Sequence, residues 1–332
     1  DRAGNFIVEP KYNDIRQLGE GRVALGKSID PEQPVVGSTY AIADSESGRL
    51  LTDFVFRTVL DYRSSLASVS DDEHTYFIGT DGKPAPGLPR WNGNGSLTLL
   101  GGVVQANIDQ RISYYNLQLG KTVWQENTVI PLTPPYAVKE HKYHPNPDYL
   151  VYYPQVAGIR DPAAAERANR RLRELSGVKP VPSGRLDYSF TGDFNVAFFR
   201  KLLVVLELNG YHYPWGAAHG MPSLVYANLN LENGRIYELK DLFLTGSNYV
   251  ETLSKIVGEQ IRTDPQYDYV FPDTYKGIRP NQPFYVTEDA LHLYFEPYEI
   301  APYAAGFPTF RIPFGEIGGI IDRRGEFWQS FH

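Results

Sequence analysis

Four times in the N-terminal 130 residues a glycine closes a polar turn behind an apolar run. These are Gly4, Gly48, Gly82 and Gly120, spaced 44, 34 and 38 residues apart. Glycine suits such turns because it takes positive φ without a steric cost. Between the turns an extended stretch with an aromatic leads to a second short strand, "GRVALG", "SLASVS" or "GVVQAN". Units recurring at 20–50 residues imply stacked elements that share a core. An all-β repeat array over 1–130 is therefore expected.

At "PLTPPYAVKEHKYHPNPDYL" the composition changes. Pro131, Pro134 and Pro135 read as a linker or a stiff entry strand, and 18 of the 24 tyrosines lie at or after Tyr136. The region 131–332 mixes strands and helices. "DPAAAERANRRLRELSG" predicts a helix with Asp161 as N-cap, Pro162 at its first position and Gly177 as terminator. Ala165, Ala168, Leu172 and Leu175 form its apolar stripe, and the arginines its solvated face. "SNYVETLSKIVGEQIR" predicts a second amphipathic helix with Val250, Leu253, Val257 and Ile261 inward. Strand-like runs surround both, and Asn233–Gly234 is a hairpin signal. The expected class is α+β: an antiparallel sheet with two main helices in the C-terminal domain, preceded by the β-repeat region.

Composition removes several functions. The net charge of −7 is spread along the chain, without the basic face of a nucleic-acid binder. No run approaches the roughly 18 apolar residues of a membrane span. Zero cysteines exclude disulfides and thiol catalysis. No G-x-S-x-G, Walker loop or dinucleotide fingerprint occurs, and "GEIGGI" at 315–320 lacks the strand–turn–helix setting of one.

Two resemblances narrow the field. "GNFIVEPKYNDI" at 4–15, followed by "EGRVAL" at 20–25, resembles the WG repeats of bacterial proteins, and the pattern weakens in the later units. Across about 136–322, "GAAHG" at 216–220, "NLENGRIYELKDLF" at 230–243 and "FEPYEIAPYAAG" at 295–306 occur in the order found in the RsiV-like extracytoplasmic domain. Ala217 stands where that family's "GGAH" carries glycine. This domain occurs in a lysozyme-sensing anti-sigma factor and ahead of the catalytic domain of PdaC-type peptidoglycan deacetylases. No deacetylase domain is expected within these 332 residues.

Two stretches are candidate sites. "YHYPWGAAHG" holds His212, Trp215 and His219. The histidines lie seven apart across Pro214, not at the i, i+4 spacing of a helical zinc site, and the H-x-x-H of His141 and His144 falls on a strand whose alternation separates the two side chains. The simpler reading is a structural corner, with Pro214 ending a strand and His219 hydrogen-bonding across the bend. "YFEPYEIAPYAAG" holds Glu296, Tyr298, Glu299 and Tyr303. Glu299 satisfying backbone N–H groups in a proline-shaped loop is the plainest reading; ligand contact comes next, and a glycosidase-type carboxylate pair last. Trp215, His219, Glu296, Tyr298, Glu299 and Tyr303 are the candidate ligand or partner contacts. No catalytic residue, metal or cofactor is assigned.

The expected function is non-enzymatic binding or sensing in the bacterial cell envelope, extracytoplasmic, secreted or anchored through a segment outside this sequence. The partner is a protein, lysozyme-like by the resemblance, or a cell-wall glycan. Alternatives are an enzyme acting on cell-wall glycan and an envelope scaffold using the repeats.

Overall fold

Short apolar runs, such as "RVALGKS" with Val23 to Gly26 all buried, build the N-terminal unit Asp1–Asn127 chiefly from strands in a computed structural model that describes all residues except 1–3, 5 and 33. Three antiparallel sheets follow one another along the chain. The first comprises β1 (Asp14–Gly19), β2 (Arg22–Ser28) and β3 (Ser38–Asp44). The second holds β4 (Thr58–Val59), β5 (Leu66–Ser70), β6 (His74–Gly79) and β7 (Trp91–Asn92). The third holds β8 (Gly95–Leu100), β9 (Val103–Ile108), β10 (Arg111–Asn116) and β11 (Lys121–Gln125). Gly48, Gly82 and Gly120 follow β3, β6 and β10 at φ +69°, +77° and +62°. The residues before Gly4 lie outside the described ones.

Strand alternation shares out the apolar side chains between sheets. Ala24 and Ile42 of the first sheet pack with Val69, Tyr76 and Ile78 of the second. Phe77, between those last two, points the other way and meets Leu97, Val104 and Ala106 of the third. Each large side chain buried in this way contributes about 1.5–3 kcal/mol.

The second unit, Thr128–His332, is a mixed α+β structure. A six-stranded sheet runs in sequence order through β12 (Val129–Pro131), β13 (Ala137–Asn146), β14 (Tyr149–Ala157), β15 (Tyr188–Arg200), β16 (Leu203–Pro214) and β17 (Met221–Asn230). A three-stranded sheet holds β18 (Phe284–Val286), β19 (Ala290–Tyr294) and β20 (Thr309–Pro313). The two main helices are α1 (Pro162–Leu175) and α2 (Tyr249–Thr263). Asp161 caps α1 by accepting from the Ala163 N–H, and Gly177 sits at φ +83° beyond its end.

Alternation along β16 places the helices. Val204, Leu206 and Leu208 face a core with Ala164, Ala168 and Leu172 of α1, while Leu203 and Val205 face one with Leu253 and Val257 of α2 and the three-stranded sheet. Asn228, 1% exposed, joins the two sheets: its Nδ2 donates to Phe284 O and its Oδ1 accepts from Val286 N. No helix among the described residues is long and apolar enough to cross a membrane.

Three local expectations need correction. β14 and β15 pair in parallel, because α1 intervenes and returns the chain in the same direction. The buried stripe of α1 includes Ala164, while Ala165 and Leu175 are only partly buried. After Asn233–Gly234 the returning chain makes one bridge, Leu229 to Ile236, and leaves as a 3-10 turn at Leu239–Leu242, so the hairpin has only a stub for its second arm.

Candidate functional site

Strand β16 ends at Pro214, and the chain re-enters the sheet at Met221 as β17. Two tyrosines of β16 hold the bend between them. Tyr213 Oη donates to Ala217 O at 2.9 Å, and Tyr211 Oη accepts from the Gly220 N–H at 2.9 Å. Gly220 has no room for a side chain without a shift of its neighbours, since a Cβ there would lie 2.6 Å from both His212 O and the Tyr211 ring.

The loop after β19 brings the second candidate stretch to this bend. Tyr303 Oη donates to Gly220 O at 2.9 Å, and its ring lies against His219 with centroids 4.3 Å apart. His219 Nδ1 lies 3.0 Å from the same carbonyl. A carbonyl only accepts, so the Nδ1 site carries the proton in the neutral ring, leaving Nε2 to accept a long bond from Tyr298 Oη at 3.4 Å. Tyr298 is 53% exposed and has φ +69°, a left-handed conformation that a bulky residue adopts at a cost. Its ring is 5.7 Å from that of Tyr303. With Tyr211 and Met221, 39% and 40% exposed, these residues make an aromatic patch on backbone fixed by hydrogen bonds. Partial desolvation and then the bond to Tyr211 raise the Tyr303 phenol above its ordinary range.

The carboxylates divide their roles. Glu299 Oε2 accepts from the Glu296 N–H at 3.0 Å, and its other oxygen lies 3.5 Å from Arg279. It is thus folded back on its own loop. Burial, followed by the charge of Glu299, raises the Glu296 carboxyl, with Arg279 opposing. Glu296 lines a groove of about 610 Å³ whose walls include Arg167 of α1, Tyr226, Tyr237, Gln282 and Tyr294.

The fold therefore brings His219, Tyr298 and Tyr303 together, with Glu299 and Glu296 on the adjoining turn. Trp215 is engaged elsewhere: its Nε1 donates to Leu186 O at 3.0 Å and its ring meets Tyr213 edge-on. His212 lies against Tyr188 and His141 against Tyr153. Sequence reasoning missed Tyr211 and Arg279, which reach the site by strand register and by a distant loop. It also missed a row on the sheet face, Glu207–Tyr226–Tyr285–His292. Tyr226 Oη donates to Glu207 Oε2 at 2.8 Å and its ring stacks on Tyr285, which stacks on His292. Burial, reinforced by the charge of Arg311, pushes the His292 imidazole down to about 4. Period-two alternation on β16 and β17 was the available signal, but the meeting of β17 with β18 lay beyond it.

Comparison with known proteins bears on this second unit. Residues 240–315 match the family described as "Protein of unknown function (DUF3298)". The anti-sigma-V factor RsiV of Bacillus subtilis is 33% identical over 105 residues, which cover 29% of this chain and 36% of that protein. The chain thus spans little more than a third of the relative it matches. Two solved DUF3298-family structures are also similar. The one from Bacteroides fragilis has a TM-score of 0.41 and 19% identity, covering 59% of this chain and 95% of that one. The one from Pseudomonas aeruginosa has a TM-score of 0.42 and 21% identity, covering 58% and 95%. The C-terminal part of the chain carries a DUF3298 domain, distantly related to the anti-sigma-V factor RsiV.

Proposed function

We propose that this chain is a non-enzymatic binding or sensing protein of the bacterial cell envelope, acting outside the cytoplasm, with its ligand held on the patch formed by Tyr211, His219, Tyr298 and Tyr303. The supporting observation is the exposed Tyr298 ring, held in a left-handed backbone conformation beside His219 and Tyr303. Strain of this kind persists where surrounding contacts over-determine it, and a half-exposed aromatic on fixed backbone is a typical anchor for a partner. The resemblance to a lysozyme-sensing domain makes a lysozyme-type protein the first ligand to try; a cell-wall glycan is the other class. The N-terminal sheets, WG-like in sequence, serve in this reading to display or space the second unit. The scaffold alternative assigns all binding to them.

Titrating the chain with lysozyme tests the reading. Saturable binding that falls about tenfold in Tyr298→Ala supports it. Equal binding by wild type and Tyr298→Ala removes the patch from the account.

Glu296 favours a second reading, that of an enzyme acting on cell-wall glycan, because its raised carboxyl lines the large groove. Against it, Glu299 is tied to the Glu296 N–H rather than opposed across a substrate gap. Incubation with peptidoglycan sacculi separates the two. Soluble glycan or acetate released by wild type but not by Glu296→Gln establishes the enzyme and ends the binding-only reading.

A further inference from the structure

The third sheet of the N-terminal unit has two unlike faces. Leu97, Val104 and Ala106 point into the core shared with Phe77. On the other face Thr98, Gln105, Tyr114 and Trp124 are successive partners across β8, β9, β10 and β11. Ser96, Asn107 and Ile112 flank that row on one side, and Leu100, Val103 and Asn116 on the other. None of these residues is buried, and Trp124 is 51% exposed. The rings are placed by contacts of their own. Gln105 Nε2 donates to Tyr114 Oη at 3.1 Å, and Tyr114 meets Trp124 edge-on with centroids 5.6 Å apart.

The face is nearly free of charge. The exceptions stand at the two corners of the β11 edge: Lys121, opposite Asn116, and Glu126. The Glu126 N–H donates to Ile112 O, and its carboxylate accepts from the Ile112 N–H and lies 3.8 Å from Arg111. By contrast, 21% of the whole chain is charged. A face whose only charges are of opposite sign and at its corners does not select an ionic partner. Its hydroxyls and amides, Thr98, Gln105, Asn107 and Asn116, are costly to cover with another apolar sheet. Aromatic faces set among neutral donors and acceptors fit a ligand that itself has apolar C–H faces edged by neutral hydroxyls or amides. Sugar rings have that character. With strands about 4.8 Å apart, the four-residue row is about 14 Å long, room for a run of rings and not one alone.

We propose that this sheet face binds an uncharged polysaccharide laid across the strands. Trp124 and Tyr114 contact the ring faces, and Thr98, Gln105 and Asn107 hydrogen-bond its hydroxyl or acetamido groups. The site belongs to the first unit and stands independently of the ligand assigned to the second.

The test is sedimentation of the full chain with chitin and with cellulose particles, reading the bound fraction against protein concentration. Retention on at least one polymer is expected, about tenfold weaker in Trp124→Ala and largely restored in Trp124→Tyr. Tyr269→Ala removes a ring that is 39% exposed on the other unit and is expected to bind like wild type. Because Trp124 is on the surface, a melting temperature unchanged by Trp124→Ala separates lost binding from lost fold. Three results overturn the proposal: no retention on either polymer, retention indifferent to Trp124→Ala, or preferential retention on the polyanion heparin. A drop in molecular mass on Trp124→Ala also overturns it, since the face then joins two copies of this chain.

Discussion

Gly220 carries more of the candidate site than any side chain does. Its N–H and C=O are engaged by Tyr211 and Tyr303, and its missing Cβ leaves room for the Tyr211 ring and His212 O. Gly220→Ala is therefore expected to destabilise the protein by about 2–4 kcal/mol, measured as a shift of the urea midpoint at constant slope. His292 supplies a pH dependence. Its folded value of about 4 lies below the 6.5 of a free imidazole, so between those limits the unfolded chain binds a proton that the folded one does not. Stability is then fully present above pH 6.5 and falls as the pH drops towards 4, by about 1–2 kcal/mol after allowing for partial exposure. Melting curves from pH 7 to 4 check this, and His292→Gln should flatten the slope in that window. Little of the site was legible at this scale. The residue types in "PWGAAHG" and "YFEPYEIAPYAAG" marked two stretches, but His219 and Tyr298 are 79 residues apart in sequence and meet through tertiary packing.

Among the elements, those governed by neighbouring residues were readable and those governed by distant partners were not. The limits of α1 followed from Asp161, Pro162 and Gly177 because a cap, a fixed φ and a positive φ are local properties. The parallel joining of β14 to β15 depends on which strand edge is free when α1 has docked, and no periodicity records that. The same holds for Asn228, which looks in sequence like a polar interruption of β17 and is the link between two sheets. Asn228→Leu keeps the volume but leaves the Val286 N–H and Phe284 O without their partner. We expect a loss of about 2–3 kcal/mol and faster hydrogen exchange at the Val286 amide than at amides within β16. Asp161→Ala is expected to cost about 1 kcal/mol, by removal of the cap alone.

At the scale of the whole molecule, each unit encloses cores of its own: among the described residues, three in the first unit and three in the second. A fragment of residues 128–332 is accordingly expected to fold by itself and melt in one cooperative transition, which calorimetry will show. Its order of assembly is less simple. Leu202, at the threshold of β16, donates its N–H to Ser330 O, and Phe331 is wholly buried in the core that Leu203 and Val205 enter. A ribosome adding about 5–20 residues each second needs roughly 6–25 s to travel from the first of these positions to the last. For that interval one apolar face of the central strand has emerged without the segment that covers it. Newly made chains stalled short of residue 327 are thus natural clients for chaperones, while the α1 face of the same strand, whose partners have all been made by then, is already closed.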